Sequence, residues 1–454
     1  MNQLYNPVFI SKILKNYFFD IDRLNNINSR DLERFRDKRF RNIVKFAYTF
    51  PLYHDLYKKA GVHPEIIQGL KDIKKLPFVS KNELHSYYPD GLISSKTSEN
   101  DLIKVSTSGT TGRSFSIFVD LQDIIIGLFG YIRMLREYDI NWRKDKITII
   151  GDFAPHTVES GYISKGLFAK MQNSYLFRNI QWLDTNEKPD LIIKKINSFK
   201  PDFLGAYTGM LGHLALLKEK GFGKNINPRV IATTGSVFDK SLRKYVNNVF
   251  DSELFETYAS TEAGPIAFEC RKGNYHILSD YVNLEILEKQ NIGHSVITKL
   301  YGLGTPIIRY TAMNDIVELS SKKCNCGLSG SLLKKVYGRD ILSLLLPDGK
   351  IMLSSSISQI FSRVLYELKT NIVIDLQIIQ HDFENIEVKL VLDNKLKKND
   401  SILGKISSII VKGFHEKIGK NVTIKVINVK NIKKNEPRII SNIKKEGLNV
   451  KGYI

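Results

Sequence analysis

DFLGAYTGMLGHLALLKEKG, residues 202–221, changes character partway along. Its first six residues are a short apolar run of strand length. The remainder, from Met210, reads as helix and closes on a glycine. The same alternation recurs on both sides: KITIIG (146–151), RVIATTG (229–235) and SELFETYA (252–259) read as strands, and DKSLRKYVNNVF (239–250) as a helix. Strand-like runs alternating with longer helical patterns from about residue 104 to 319 predict an α/β domain with a largely parallel sheet.

The ends of the chain read differently. The first hundred residues are mostly helical, with breaks at Pro51, AGVHPE and LPFVSKNEL, where Ser80 is placed to cap a helix with Glu83 at the capping-box position. After Gly338, two alternating strands, IVIDLQII and IEVKLVL, precede an amphipathic helix, SILGKISSIIVKGFHEKIG, and a strand, VTIKVINV. The expected organisation is therefore a large domain, residues 1–337, whose helical lead-in covers about 1–100, followed by a small α+β domain, residues 338–454.

The chain has 454 residues, 43% hydrophobic and 25% charged, enough for two or three domains with sizeable cores. Lys and Arg number 67 against 47 acidic residues, a formal net charge of +20. Much of the excess lies in Lys- and Asn-rich segments such as LDNKLKKND and NVKNIKKNEP, without interleaved aromatics, zinc-finger or basic-zipper spacing. Nucleic acid is therefore not expected as a partner. Neither a signal-peptide pattern nor an apolar run of about 18 residues occurs, so a cytoplasmic protein without an integral membrane segment is expected, and peripheral membrane contact stays open.

Between two apolar runs stands TSGTTG, residues 107–112, built only from Thr, Ser and Gly. Glycines let a backbone approach phosphate oxygens closely, and small hydroxyl side chains donate to them without steric cost, so the loop suits a polyphosphate. The Walker pattern GxxxxGK[ST] is absent. Downstream follow TYASTEAG, GTPIIRYTAMND and VYGRD, in that order.

Together with TSGTTGR these stretches resemble the signatures of the adenylate-forming superfamily, in its phenylacetate–coenzyme A ligase-like branch, which includes relatives associated with capsular polysaccharide loci. The resemblance implies ATP-dependent activation of a small carboxylic acid to an acyl-adenylate. It also implies roles for particular residues. Thr107, Ser108, Gly109, Thr110, Thr111 and Gly112 would cradle the phosphates, with Arg113 beside the departing pyrophosphate. Glu262 would hold Mg²⁺, Thr261 would touch the α-phosphate, Tyr258 would stack on or flank the adenine, Asp315 would accept from the ribose hydroxyls, and Arg339 would reach ribose or phosphate from the domain junction. The acceptor implied by the ligase branch is coenzyme A. The capsule-associated relatives suggest instead an amine or hydroxyl of a sugar precursor, and a catalytically degenerate nucleotide- or partner-binding protein is the remaining alternative.

The chain departs from the branch in three places. Only Asp340 follows the GR turn where relatives carry adjacent acidic hinge residues. The C-terminal NIKKNEPRIISNI lacks the glycine that precedes the family lysine, which leaves Lys434, with Lys433 beside it, as the candidate. Ser236 stands in TTGSVF where an acidic residue is common. A separate set, Cys270, His276, Cys324 and Cys326, uses every cysteine of the chain and matches the donor preference of structural Zn²⁺, against a background of reduced thiols with an incidental histidine.

Overall fold

The structure, a computed structural model, describes residues 6–106, 115–155, 157, 159–160, 177–288, 291–340, 343–393, 401–433, 436–443 and 452–453. Five strands form a parallel run: β3 (Ile147–Gly151), β4 (Ile180–Asp184), β5 (Phe203–Tyr207), β6 (Val230–Thr234) and the first half of β7 (Glu253–Ser260), in the spatial order β4-β3-β5-β6-β7. Helices Pro189–Phe199, Thr208–Glu219 and Lys240–Phe250 lie between them in sequence. Apolar side chains such as Ile192, Leu211, Leu214 and Val246 pack with Leu204 and Ile231 of the sheet into one core. The last of these helices starts where Asp239 accepts from the backbone of Ser241 and Leu242, each at 2.9 Å, and it ends at Asp251 in the left-handed conformation.

The sheet then changes direction. β7 pairs in parallel with β6 through Glu256, and from Thr257 onward it pairs antiparallel with β8 (Gly264–Glu269). Beyond it run β9 (Tyr275–Ile277), β10 (Val282–Ile286), β11 (Ile292–Lys299), β12 (Asp315–Ser320) and β13 (Leu332–Arg339), all antiparallel to their neighbours. Of the ten neighbouring pairs in this eleven-stranded sheet only four are parallel, so the expectation of a largely parallel sheet is corrected. The cause is connection length. The three residues between β7 and β8 suffice for a hairpin, whereas a parallel crossover takes a dozen or more. Strands β1 (Leu102–Ser106) and β2 (Ser116–Asp120) form a separate antiparallel pair.

The helical lead-in is part of the large core. Phe40, Leu52, Tyr53 and Tyr57 are buried with Phe268, Ile297 and Ile308. The Tyr53 hydroxyl donates to the Pro306 carbonyl at 2.6 Å, the Val79 amide to the Arg309 carbonyl at 3.0 Å, and the Thr305 hydroxyl to the Leu92 carbonyl at 3.0 Å. Arg133, on the helix Leu121–Glu137, grips buried Asp280 through both terminal nitrogens at 2.8 Å and donates to the Ile21 carbonyl at 2.8 Å. The expected capping box is formed: Ser80 accepts from the Glu83 amide, and Glu83 accepts from the Ser80 amide.

Residues from Leu344 onward have their own core, in which Ile360, Ile378, Val388, Ile410 and Phe414 pack together. Strands Val373–Gln380, Asn385–Leu392, Thr423–Asn428 and Ile439–Ser441 form a four-stranded sheet, accompanied by helices Ser354–Glu367 and Ser401–Ile418. Polar contacts join this unit to the large one, among them Ser362 donating to Asp239 at 2.5 Å, Lys369 to Glu219 at 2.7 Å, and the Ser355 hydroxyl to the Tyr337 carbonyl.

Candidate active site

A cavity of about 1230 Å³ opens at the carboxyl ends of the parallel strands, where Gly151 of β3, Tyr207 of β5, Thr234 of β6 and Ser260 of β7 line it. This is where an open α/β sheet places its ligands, since loops leaving adjacent strands part there. The switch of β7 from parallel to antiparallel pairing supplies the turn Ser260–Gly264. The Ala263 amide donates to the Ser260 hydroxyl at 3.1 Å, and Gly264 takes a positive φ of 70°, where a Cβ would lie 2.9 Å from the Tyr301 hydroxyl. Thr261 and Glu262 on this turn both line the cavity. Glu262 is 9% exposed and accepts from the Tyr310 hydroxyl at 3.4 Å; burial raises its carboxyl above the usual range, and nearby Arg339 opposes the rise.

Asp315 and Arg339, the acidic and basic ends of two separate motifs, are register partners across β12 and β13, with Arg339 Nε 3.9 Å from Asp315 Oδ1. Both line the cavity. Burial raises the Asp315 carboxyl, while Arg339 and the Tyr258 phenol, which donates to Asp315 at 2.9 Å, pull it back. The structure therefore brings Thr261, Glu262, Asp315 and Arg339 to one cavity. Tyr258 is not among the lining residues; it reaches the site through Asp315. Residues Thr107 to Arg113 and Lys434 lie outside the described residues, although Ser106 and Phe115, on either side of the loop, line the cavity. Lys433 is exposed, with Glu436 3.6 Å away.

Two features of the site escaped the sequence reading. Lys81 and Asn82, from the capped helix of the lead-in, line the cavity. Glu159 accepts from the Tyr207 hydroxyl at 2.5 Å within the wall, and burial raises its carboxyl. Tyr207 was findable as the last residue of a buried strand. Gly235, at a φ of 88°, leaves room for its ring, since a Cβ there would lie 2.7 Å from it. Glu159 carried no sequence signal.

The cysteine set converges away from the cavity. The ligand atoms of Cys270, His276, Cys324 and Cys326 all lie within 4.8 Å of one another. Cys270 and Cys324 sulfurs are 3.8 Å apart, close to the edge of a tetrahedron with Zn–S bonds of about 2.3 Å. Cys326 Sγ lies 3.2 Å from His276 Nε2, and buried His276 Nδ1 has no hydrogen-bond partner among the described residues. The donor set and its spacing fit a zinc ion.

Residues 344–443 match the family model described as the CapK C-terminal domain. The chain aligns with a solved 2-hydroxyisobutyryl-CoA ligase in the postadenylation state at a TM-score of 0.71, covering 92% of this chain and 90% of that one at 13% identity. The chain has the fold of the adenylate-forming ligases. Protein CapK of Staphylococcus aureus is 26% identical over 86% of this chain and 84% of its own, and a phenylacetate–coenzyme A ligase of Thermus thermophilus is 22% identical over 68% of this chain and 70% of its own. Among the described residues, no helix of this adenylate-forming fold is long and apolar enough to cross a membrane.

Proposed function

We propose that this chain uses ATP to convert a carboxylic acid to its acyl-adenylate and then transfers the acyl group to coenzyme A. One observation carries the reading: the Thr261–Glu262 turn, Asp315 and Arg339, three places far apart in sequence, meet in one cavity. The similarity to phenylacetate–coenzyme A ligases supports it.

A carboxylate is a poor acyl donor because its oxygen leaves badly. In the first step the carboxylate oxygen bonds to the α-phosphorus of ATP, the α–β bridging bond breaks, and pyrophosphate leaves. In the second, the sulfur of coenzyme A bonds to the acyl carbon, AMP leaves, and the thiol proton passes to solvent. Positioning and charge neutralisation are the protein's share of this work. In this reading Asp315 accepts from the ribose hydroxyls, with Tyr258 and Arg339 holding its carboxylate in place; Thr261 donates to the α-phosphate. Glu262 would hold the Mg²⁺ that accompanies ATP and neutralises phosphate charge. Residues 107–113 are assigned to the phosphates and Lys434 to the acyl carboxylate, and the unit that follows Asp340 turns about that residue between the two steps. The four-residue Cys/His set holds a structural zinc.

Carboxylate-dependent exchange of labelled pyrophosphate into ATP tests the first step, and mass spectrometry of the thioester tests the second. ATP binding without exchange across a broad panel of acids would leave a nucleotide-binding protein. Replacing Glu262 with Gln should abolish exchange while leaving the fold intact.

A further inference from the structure

Thirteen large apolar side chains are exposed among the described residues, and five of them, Val8, Ile10, Leu14, Phe18 and Phe19, stand on one helix, Pro7–Asp20. Phe9, Ile13 and Tyr17 on the same helix pack against Leu121, Ile125 and Phe129 of the helix Leu121–Glu137. The helix is thus apolar on its packed side and again on its outer side, a pattern that a helix facing only water does not carry. Ile10, Leu14 and Phe18 recur every four residues and form one outer ridge. Val8, Lys12, Lys15 and Phe19, spaced four, three and four apart, form a second ridge beside it.

We propose that this helix seats the protein on the surface of a bilayer containing anionic phospholipid. Three observations select that occupant. The two lysines interrupt the apolar ridge at the positions where long cationic side chains reach headgroup phosphates while Phe and Leu enter the acyl boundary. Lys15 has no hydrogen-bond or ion-pair partner among the described residues, and Lys12 is held only by Gln122 at 2.7 Å. The chain carries a net charge of +20, which draws it to an anionic surface and opposes pairing of two copies through the same face. The helix also walls the cavity: Ile13, Leu14 and Tyr17 line it, and Leu14 is at the same time 51% exposed. The apolar end of the cavity therefore lies beside the face that meets lipid.

Flotation of the full chain with vesicles tests this directly. The protein should rise with vesicles of phosphatidylcholine and phosphatidylglycerol, rise much less with phosphatidylcholine alone, and lose binding as salt is raised. The double substitution Leu14→Asp and Phe18→Asp should lower the vesicle partition coefficient about a hundredfold, from the apolar contact that is lost. Lys15→Glu, an exposed change that leaves the packed side untouched, should lower it about tenfold on anionic vesicles and barely alter it on neutral ones. A full chain that stays in solution with both vesicle types overturns the proposal, as does flotation unchanged by Lys15→Glu. A wild-type dimer in sedimentation that the double substitution dissociates would assign the face to a second copy and overturn it equally.

Discussion

Asp315 and Arg339 face one another across an antiparallel strand pair at the edge of the cavity, joining two motifs that are 24 positions apart in the chain. Removing the cation by Arg339→Met leaves burial to act on Asp315 with less opposition, so its carboxyl rises further and the acid limb of ATP binding moves to higher pH. Asp315→Asn should raise the KM for ATP about tenfold or more with little change in melting temperature, as expected for loss of a charged acceptor. Calorimetric titration of ATP against pH checks the first statement, and exchange kinetics against ATP concentration with a thermal melt check the second.

His294 lies between two carboxylates. Its Nδ1 is 2.5 Å from Glu288 and its Nε2 is 3.0 Å from Asp340, the proposed hinge residue. The bond to Asp340, followed by that to Glu288, raises the imidazolium from its usual 6.5 to about 9. A raised folded value means a stabilising contribution that is complete below pH 6.5 and is lost as pH climbs through about 9. His294→Gln should therefore destabilise the protein by an amount on the order of 2 kcal/mol near pH 6 and by almost nothing near pH 10, as read by chemical denaturation.

The buried pair Arg133–Asp280 offers a sharper stability test. Arg133→Met would take the bidentate partner from a fully buried carboxylate, leaving the weaker influence of Arg39 and of Arg23 at 3.8 Å. The expected loss is about 3–5 kcal/mol in urea unfolding. Arg34→Ala, which breaks an exposed pair with Asp31, should cost less than about 1 kcal/mol.

Protein purified without added metal should contain about one zinc per chain. Cys326→Ser should release it, lower the melting temperature and make the remaining thiols titratable, while pyrophosphate exchange at moderate temperature persists. Absence of zinc together with three freely titratable thiols would remove the ion.

The strands Ile147–Gly151, Phe203–Tyr207, Val230–Thr234 and the start of Glu253–Ser260 were legible because each is a short apolar run and two helices with readable patterns, Thr208–Glu219 and Lys240–Phe250, lie between the last three; the strand Ile180–Asp184 and the helix Pro189–Phe199 were not read. The antiparallel half was not. A strand of three residues such as Tyr275–Ile277 is too short to show a period, and pairing direction is set by connections rather than by residue type. Glu262, Asp315 and Arg339 were grouped by resemblance and line one cavity in the structure, yet the register that pairs Asp315 with Arg339 is a property of the folded sheet. The bond from the Tyr258 hydroxyl to Asp315 spans 57 positions and likewise had no sequence signal. Glu159 joins Tyr207 across 48 positions with no motif around it, and only folding reveals the pair.

The bonds from Tyr53 to Pro306 and from Thr305 to Leu92 span 253 and 213 positions, and they set an order of events during synthesis. At about 5–20 residues per second, a ribosome that has made the lead-in helices needs roughly 10–50 s more before the strands that cover them exist. Until then Phe40, Leu52 and Tyr57, all buried in the finished molecule, have no partners from the sheet to pack against. A chain stalled short of Pro306 would carry that sticky surface indefinitely. The nascent protein, rather than the mature one, is the form that most needs a chaperone.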